Sequence, residues 1–496
     1  MATLSKAHWA TILHFYQPYN QKREIIDKIV EQCYRPVANG ILASPDARIT
    51  INFTGVLLDL LAKYGHRDVI DLYGEAARQG KIELVASAKF HAILPLLPPD
   101  EARRQIAINN DTNRSYFGDV YKPRGVFLPE VAWDPKLATI LDEFGFDWVM
   151  LDELAANGHI GSVDYSKTYQ IRGAKVKAMF REHRLSTLVS SIARDVATLK
   201  ETAREELAVD RAIITGMDGE TFGHHQAGHE KLLFSMFDEP DIPMVLMSEL
   251  LEFYPTVQTI KTVACTWASS EDDISKGIQF ISWDDPTNEI HRLQWELLRM
   301  TVERLAQLPK TDPNYVVLRA RLDWAVASDQ FYWAAAKPWW MIEYIERGAY
   351  ELLTILQQLP TTSPWSSERG LALYHEILSV AYEWQRSGKI DTHDDQARVP
   401  FKELTLEAGD AGTWHAFLDM LRQEEAAAAE RSDYEEAILW RNGVYKLENK
   451  LDIYDAIYII DLLRRKLPKG EVEDTIAKYR KKYNRIRGGQ VEQRSN

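Results

Sequence analysis

The stretch "YKPRGVFLPEVAWD", residues 121–134, decides how the chain is to be read. A short apolar run from Gly125 to Leu128 is stopped by Pro129, and a carboxylate, Glu130, follows at once. Trp133 and Asp134 come one helical turn later. A buried strand closed by a proline needs no acid for folding, so Glu130 is a candidate for chemistry, with the strand as its post.

Similar runs recur along the first 285 residues. "HWATILH" (8–14), "ARITINF" (47–53), "KIELVAS" (81–87), "DWVML" (147–151), "VKAMF" (176–180) and "RAIITGM" (211–217) join "RGVFLP" (124–129) as predicted strands, with "TVACT" (262–266) a further candidate. They are rich in Val, Ile, Leu and Phe and alternate little, as strands buried on both faces should. Helical stretches lie between them; "PKLATILDEFG" opens at Pro135 and closes at Gly145. Strand–helix alternation of this kind predicts a parallel α/β barrel over residues 1–287. From about residue 288 the period turns helical, as in "TNEIHRLQWELLRMTVERLAQL" and "WMIEYIERGAYELLTILQQL", which predicts a helical domain over 288–485. The charged residues 486–496 are expected to form a disordered tail.

Composition narrows the function. With 496 residues the chain is too long for one small core. Its formal net charge of −14 argues against nucleic acid or an anionic membrane as the main partner. No apolar run reaches a membrane span, and the start "MATLSKAHWATILHFYQPYN" shows no signal-peptide pattern, so a cytoplasmic location is expected. Cys33 and Cys265 form neither a disulfide framework nor a metal spacing, and no cofactor or metal is expected. Fourteen Trp and 22 Tyr, many beside polar residues, suit sugar binding, because an indole face stacks on the C–H face of a pyranose.

In a parallel barrel the residues just past the strands line one mouth, where the chemistry is found. That rule selects His14 and Gln17 after the first strand, His91 after the third, and Glu130 after the fourth. It adds Asp152 and Glu153 after the fifth, Arg181 and Glu182 after the sixth, and Asp218 and Glu220 after the seventh. Glu83 lies inside its strand and is expected to be paired in the barrel interior, since a buried unpaired acid is costly. Asp152 and Glu153 also suit capping of the helix that follows. Glu130 and Asp218 each end a strand without opening an obvious helix. Two carboxylates from different strands suit glycoside hydrolysis, provided their pKa values are separated. Apolar Phe127 and Leu128 beside one acid and polar neighbours beside the other could supply that separation.

The chain resembles glycoside hydrolase family 57, the α-glucan-acting family. "HFYQPY" (14–19), "GKIELVASAKFHAILPLL" (80–97), "GVFLPEVAW" (125–133) and "GMDGETFGHH" (216–225) are similar to its first four motifs in order, and "FREHRLS" (180–186) to a further common segment. A fifth is loosely matched by "DWAVASDQFYW" (323–333), which brings in Asp329. The resemblance covers roughly residues 8–335. It departs at Phe127, where many members carry Trp. It implies a distorted TIM-like (β/α)7 barrel followed by a helical domain that closes the cleft. It also implies a retaining mechanism with Glu130 as nucleophile and Asp218 as acid/base, acting on starch or maltooligosaccharides. His14, Gln17, Glu83, His91, Arg181, Glu220, His224 and Asp329 would bind hydroxyls or hold the catalytic pair, and Trp133 and Trp267 would be stacking platforms. An α-amylase is the expected activity; 4-α-glucanotransferase and branching enzyme share the same pair.

Two other classes compete. A metal-dependent hydrolase or deacetylase could use Asp218, His224, His225 and His229, because His225 and His229, four apart, can share a metal if they lie on a helix. Gly223 and Gly228 weaken that helix. A non-catalytic glucan-binding protein would have no need of both acids.

Overall fold

The computed structural model describes residues 6–193, 195–336, 339–360, 363–390, 411–448, 459–460, 462–464 and 466–492. Among the described residues ten strands follow one another: β1 (His8–Phe15), β2 (Ile49–Phe53), β3 (Ile82–Val85), β4 (Gly125–Phe127), β5 (Trp148–Asp152), β6 (Thr168–Ile171), β7 (Lys177–Arg181), β8 (Ala212–Asp218), β9 (Met244–Val245) and β10 (Val257–Ile260). Seven of them match the predicted runs.

Those seven form a parallel ring. β1 pairs with β2 and β8, β2 with β3, β4 with β5, and β5 with β7, all parallel. Single links bridge the two remaining gaps. Ala86 N–H donates to Gly125 O at 3.0 Å and Phe127 N–H to Ala86 O at 2.9 Å, which joins β3 to β4. Glu182 N–H donates to Ile214 O at 2.8 Å, which joins β7 to β8. β6 lies antiparallel on β7 and carries β10 beyond it. Val, Ile, Leu and Met from the strands are buried on both faces, which explains the lack of alternation in the sequence. Small residues set the ring's width: a Cβ on Gly125 would fall 2.1 Å from the Trp148 ring.

The helical half opens where the periodicity changes. Asn288 Oδ1 accepts the His291 N–H at 3.0 Å and caps the helix Glu289–Ala306. That helix, with Tyr315–Ala325, Ile342–Gln358 and Pro364–Ser387, shares one apolar core with the barrel's outer face, from Leu128, Leu137 and Leu151 to Leu293, Leu322 and Leu352. The chain divides into two compact units, residues 1–219 with 231–392, and 220–230 with 393–496. The boundary expected near residue 287 is therefore no break in packing, because the first helices past the barrel share its core. The second unit contains the helices Ala411–Glu430, Tyr434–Glu448 and Lys469–Glu492, with Phe417, Leu421, Trp440 and Leu463 buried together.

Two further expectations change. "TVACT" forms no strand; only Cys265 makes an isolated bridge, to Trp133. The tail expected from residue 486 is helical to Glu492, and residues 493–496 lie outside the described residues. No helix among the described residues is long and apolar enough to cross a membrane.

Candidate active site

Glu130 sits where β4 has just ended. Pro129 stops the ladder, and residues 129–131 make a single tight turn. Glu130 has φ 59° and ψ 16°, and Val131 φ 49°. Left-handed backbone at a non-glycine residue costs on the order of 1–3 kcal/mol and persists only where its surroundings enforce it. Here Val131 N–H donates to Leu128 O at 2.8 Å and Trp267 N–H to Glu130 O at 3.2 Å. The strain fixes the direction of one side chain, which remains 22% exposed.

Asp218 is the last residue of β8, in register with His14 of β1. Gly219 follows, and a Cβ there would lie 2.0 Å from the Phe15 ring, so only glycine lets the chain turn directly after the acid. Among the described residues the Asp218 carboxylate makes no hydrogen bond; Arg181 is the charge that acts on it.

A ring of groups surrounds Glu130. Trp267 donates its indole N–H to Glu130 Oε2 at 2.8 Å. His91 Nε2 lies 3.8 Å from Glu130 Oε1. His91 in turn meets Ser328 Oγ through Nδ1 at 2.9 Å and His14 Nε2 through its own Nε2 at 3.0 Å. His14 Nδ1 reaches Asn52 Oδ1 at 2.6 Å. The ring of Tyr16 stacks on His91 at 3.9 Å, and its hydroxyl donates to Asp329 Oδ2 at 2.5 Å. Arg181 lies over the Trp267 ring at 5.6 Å and is pinned by Gly216 O and Asp152 Oδ2, each at 2.8 Å.

The electrostatics separates the two acids. Burial pushes Glu130 up to about 8, with the charges of Asp218 and Asp329 adding and the Trp267 N–H opposing. Burial raises Asp218 to about 6, against the pull of Arg181. Asp329 also rises to about 6 by burial, opposed by the Tyr16 hydroxyl. The difference between Glu130 and Asp218 comes from charge as well as burial, since two carboxylates act on Glu130 and a guanidinium on Asp218. Burial lowers His14 to about 4 and His91 well below the usual imidazole range.

The structure gathers His14, His91, Glu130, Arg181, Trp267 and Asp329 into this network. Gln17 accepts from Gln21 Nε2 at 2.9 Å on the loop after β1. All four ring nitrogens of His14 and His91 already have protein partners, so these residues hold one another rather than present a spare N–H. Trp133 needs correction, whereas Glu83 keeps the interior pairing read from its place in the strand and loses only the place at the mouth that the resemblance implied. Trp133 is fully buried, its indole N–H donates to Thr262 Oγ1 at 3.0 Å, and its backbone ladders with Cys265, so it is a core residue and no platform. Glu83 lies two residues deeper along the ladder than the level of His14. Its carboxylate takes the Ser248 N–H at 3.1 Å, the Ser248 hydroxyl and the Thr50 hydroxyl, which ties it into the interior rather than the mouth. Asp152 serves two ends, accepting the Leu154 N–H at 3.2 Å and pairing with Arg181.

Glu220 and His224 belong to the 220–230 segment of the second unit, where Glu220 O accepts the N–H groups of His224 and His225. His225 and His229 precede the helix Glu230–Phe237, so they lack the helical frame a shared metal would need. Among the described residues no three His, Cys, Asp or Glu side chains cluster as a metal site. A surface cavity of about 600 Å³, lined by Asp46, Arg48, Gln79, Lys81 and Asp238, lies by the amino ends of β2 and β3, away from the acids.

Three residues of the network were missed in the sequence: Tyr16, Asn52 and Ser328. Asn52 had a signal, as a polar residue one position before the end of β2.

The curled parallel sheet, with one acid just past β4 and another at the end of β8, places the chain among the α/β barrel-like proteins. The family model described as glycosyl hydrolase family 57 matches residues 8–263, and the chain belongs to that family. An α-amylase of Pyrococcus horikoshii is 26% identical over 278 residues, covering 52% of this chain and 42% of that one. The match thus spans about two fifths of that relative's length. Two solved structures share the fold. A 4-α-glucanotransferase of Thermococcus litoralis superposes with a TM-score of 0.57 at 16% identity, over 72% of this chain and 60% of that one. A branching enzyme of Thermococcus kodakaraensis gives 0.55 at 18%, over 76% and 96%.

Proposed function

We propose that the chain is a retaining α-glucan-active glycoside hydrolase, with Glu130 as nucleophile and Asp218 as acid/base. Glu130 Oε1 attacks the anomeric carbon while Asp218 delivers its proton to the departing glycosidic oxygen. The C–O bond breaks and a glycosyl ester of Glu130 remains. Asp218, now a carboxylate, takes the proton of the acceptor hydroxyl, whose oxygen displaces Glu130. Water as acceptor gives hydrolysis, and a sugar hydroxyl gives transfer.

The observation that carries this reading is the electrostatic coupling of the two acids. They compete for one proton near neutrality, and the higher value of Glu130 makes the reactive form, with the proton on Asp218, the minor one at rest. When the proton sits on Asp218, the charge that raises Glu130 is gone and the Trp267 N–H favours the ionised nucleophile. The division of labour also suits their settings: Glu130 is held from both sides, whereas the Asp218 carboxylate is left to follow the leaving oxygen.

Within this reading an α-amylase acting on α-1,4 bonds of starch or maltooligosaccharides is the specific proposal. The relatives named glucanotransferase and branching enzyme keep transfer as the second reading. Incubation with maltoheptaose, with products separated by chromatography, tests both. Only shorter sugars mean hydrolysis, longer ones mean transfer, and new α-1,6 points on amylose mean branching. Absence of turnover on every glucan would overturn the proposal.

A further inference from the structure

Hydrogen-bond roles fix where the protons sit between β2 and Ser328. Asn52 is fully buried and donates its amide to the carbonyls of Val85 at 3.4 Å and Ala86 at 3.3 Å. A flipped amide would set its oxygen against both carbonyl oxygens, so Oδ1 is the atom that faces His14 Nδ1 at 2.6 Å. That oxygen only accepts, hence His14 carries its proton on Nδ1. The Nε2 of a neutral ring so protonated only accepts, and the 3.0 Å contact therefore places a proton on His91 Nε2. His91 Nδ1 is then the acceptor, and Ser328 Oγ donates to it at 2.9 Å. The chain runs one way, from Ser328 through His91 and His14 to Asn52.

We propose that Asn52 is a positioning residue for the reaction, because it fixes this proton order and turns the His91 N–H away from Glu130. The inference rests on the reading of Glu130 as nucleophile. His91 Nε2 stands 3.8 Å from Glu130 Oε1, outside hydrogen-bond reach, and its proton is committed to His14. A cation or a donated N–H at that place would draw electron density from the attacking oxygen. A second proton on His14 would go to Nε2 and meet the His91 N–H at 3.0 Å, forcing His91 to change tautomer.

The surroundings contribute no competing donor. Phe127 stacks on His14 at 4.5 Å and Tyr16 on His91 at 3.9 Å, with the Tyr16 hydroxyl committed to Asp329. Glu130, Asp218 and Asp329 are the acids that act here, and Arg181 is occupied by Asp152 and Gly216. Burial of both rings acts in the same direction, disfavouring their cationic forms.

Nitrogen NMR of the whole wild-type protein with ¹⁵N-labelled histidine tests the proton order without any activity. At neutral pH the result expected is His14 protonated on Nδ1 and His91 on Nε2, both neutral. His14 protonated on Nε2, or either ring cationic, overturns the proposal. The variant Asn52→Asp then tests its consequence, since a carboxylate at that place invites a second proton onto the pair. The expectation is a loss in kcat of about tenfold to a hundredfold, with KM less affected. A new ionisation should also enter the pH profile of kcat/KM between about 6 and 8. An unchanged kcat and profile would overturn the positioning role. If the wild type turns over no glucan, the reading of Glu130 falls and the positioning role with it. If it does turn over glucan and the tautomers are otherwise, only this inference falls.

Discussion

Trp267 reaches Glu130 twice, with its indole N–H on the carboxylate Oε2 at 2.8 Å and its backbone N–H on the carbonyl at 3.2 Å. One bond sets the side chain's charge and direction, and the other holds the left-handed backbone beneath it. The variant Trp267→Phe keeps the second and removes the first. A hydrogen bond to a charged group contributes about 1.5–3 kcal/mol. Steady-state kinetics should show kcat/KM reduced about tenfold to a hundredfold, with the pKa of Glu130 moved further up.

The pH dependence follows from the shared proton. Below about 6 both acids are protonated and no nucleophile exists; above about 8 both are ionised and no acid exists. The profile of kcat/KM is therefore predicted to be a bell between those limits. Histidine gives no limb of its own, because burial keeps His14 and His91 neutral throughout that range.

Stability should run against activity. Both acids have folded-state pKa values raised above their ordinary ones, so the unfolded chain ionises first as pH rises and the folded state loses stability between about 4 and 8. Glu130→Gln and Asp218→Asn remove that penalty. Each variant should be more stable than wild type at pH 8 by about 1–3 kcal/mol in urea titrations, with the difference vanishing below about pH 3, where both acids are neutral in both states.

A second stability test concerns the buried ions joining the helix Pro99–Phe117 to the helix Tyr315–Ala325. Arg319 binds Glu101 through both terminal nitrogens, at 2.8 and 2.7 Å, and Asp323 at 3.2 Å, while Arg104 grips Asp323 from the other side. Arg319→Met leaves Glu101 buried without its partner. Denaturation should show a loss of about 3–5 kcal/mol.

The sequence was most informative where burial is uniform. Seven apolar runs became the barrel within one or two residues of their expected ends, because a strand covered on both faces leaves a dense apolar signature that proline, glycine or an acid must close. Glu130 and Asp218 stood out through the same rule, as polar groups just where such runs stop. Trp133 did not fit its expected role, because whether an indole faces a cleft or a core depends on the distant Cys265 and Thr262. Asn52, one residue before the end of β2, and Tyr16, just past β1, went unnoticed although both lie near strand ends. Their partners, His14 and Asp329, lie 38 and 313 residues away and are joined only by the fold. The division of the helical half was equally hidden, because the helices Pro364–Ser387 and Ala411–Glu430 on either side of it show the same amphipathic period.

The covalent step offers the most direct test. A fluorinated glucosyl fluoride that forms the glycosyl ester but hydrolyses it slowly can be incubated with the protein, digested and read by mass spectrometry. The peptide containing Glu130 should carry one glycosyl unit, and Glu130→Gln should abolish the label. A label on Asp218 instead, or no label together with a first product of inverted anomeric configuration, would contradict the assignment of Glu130 as the nucleophile.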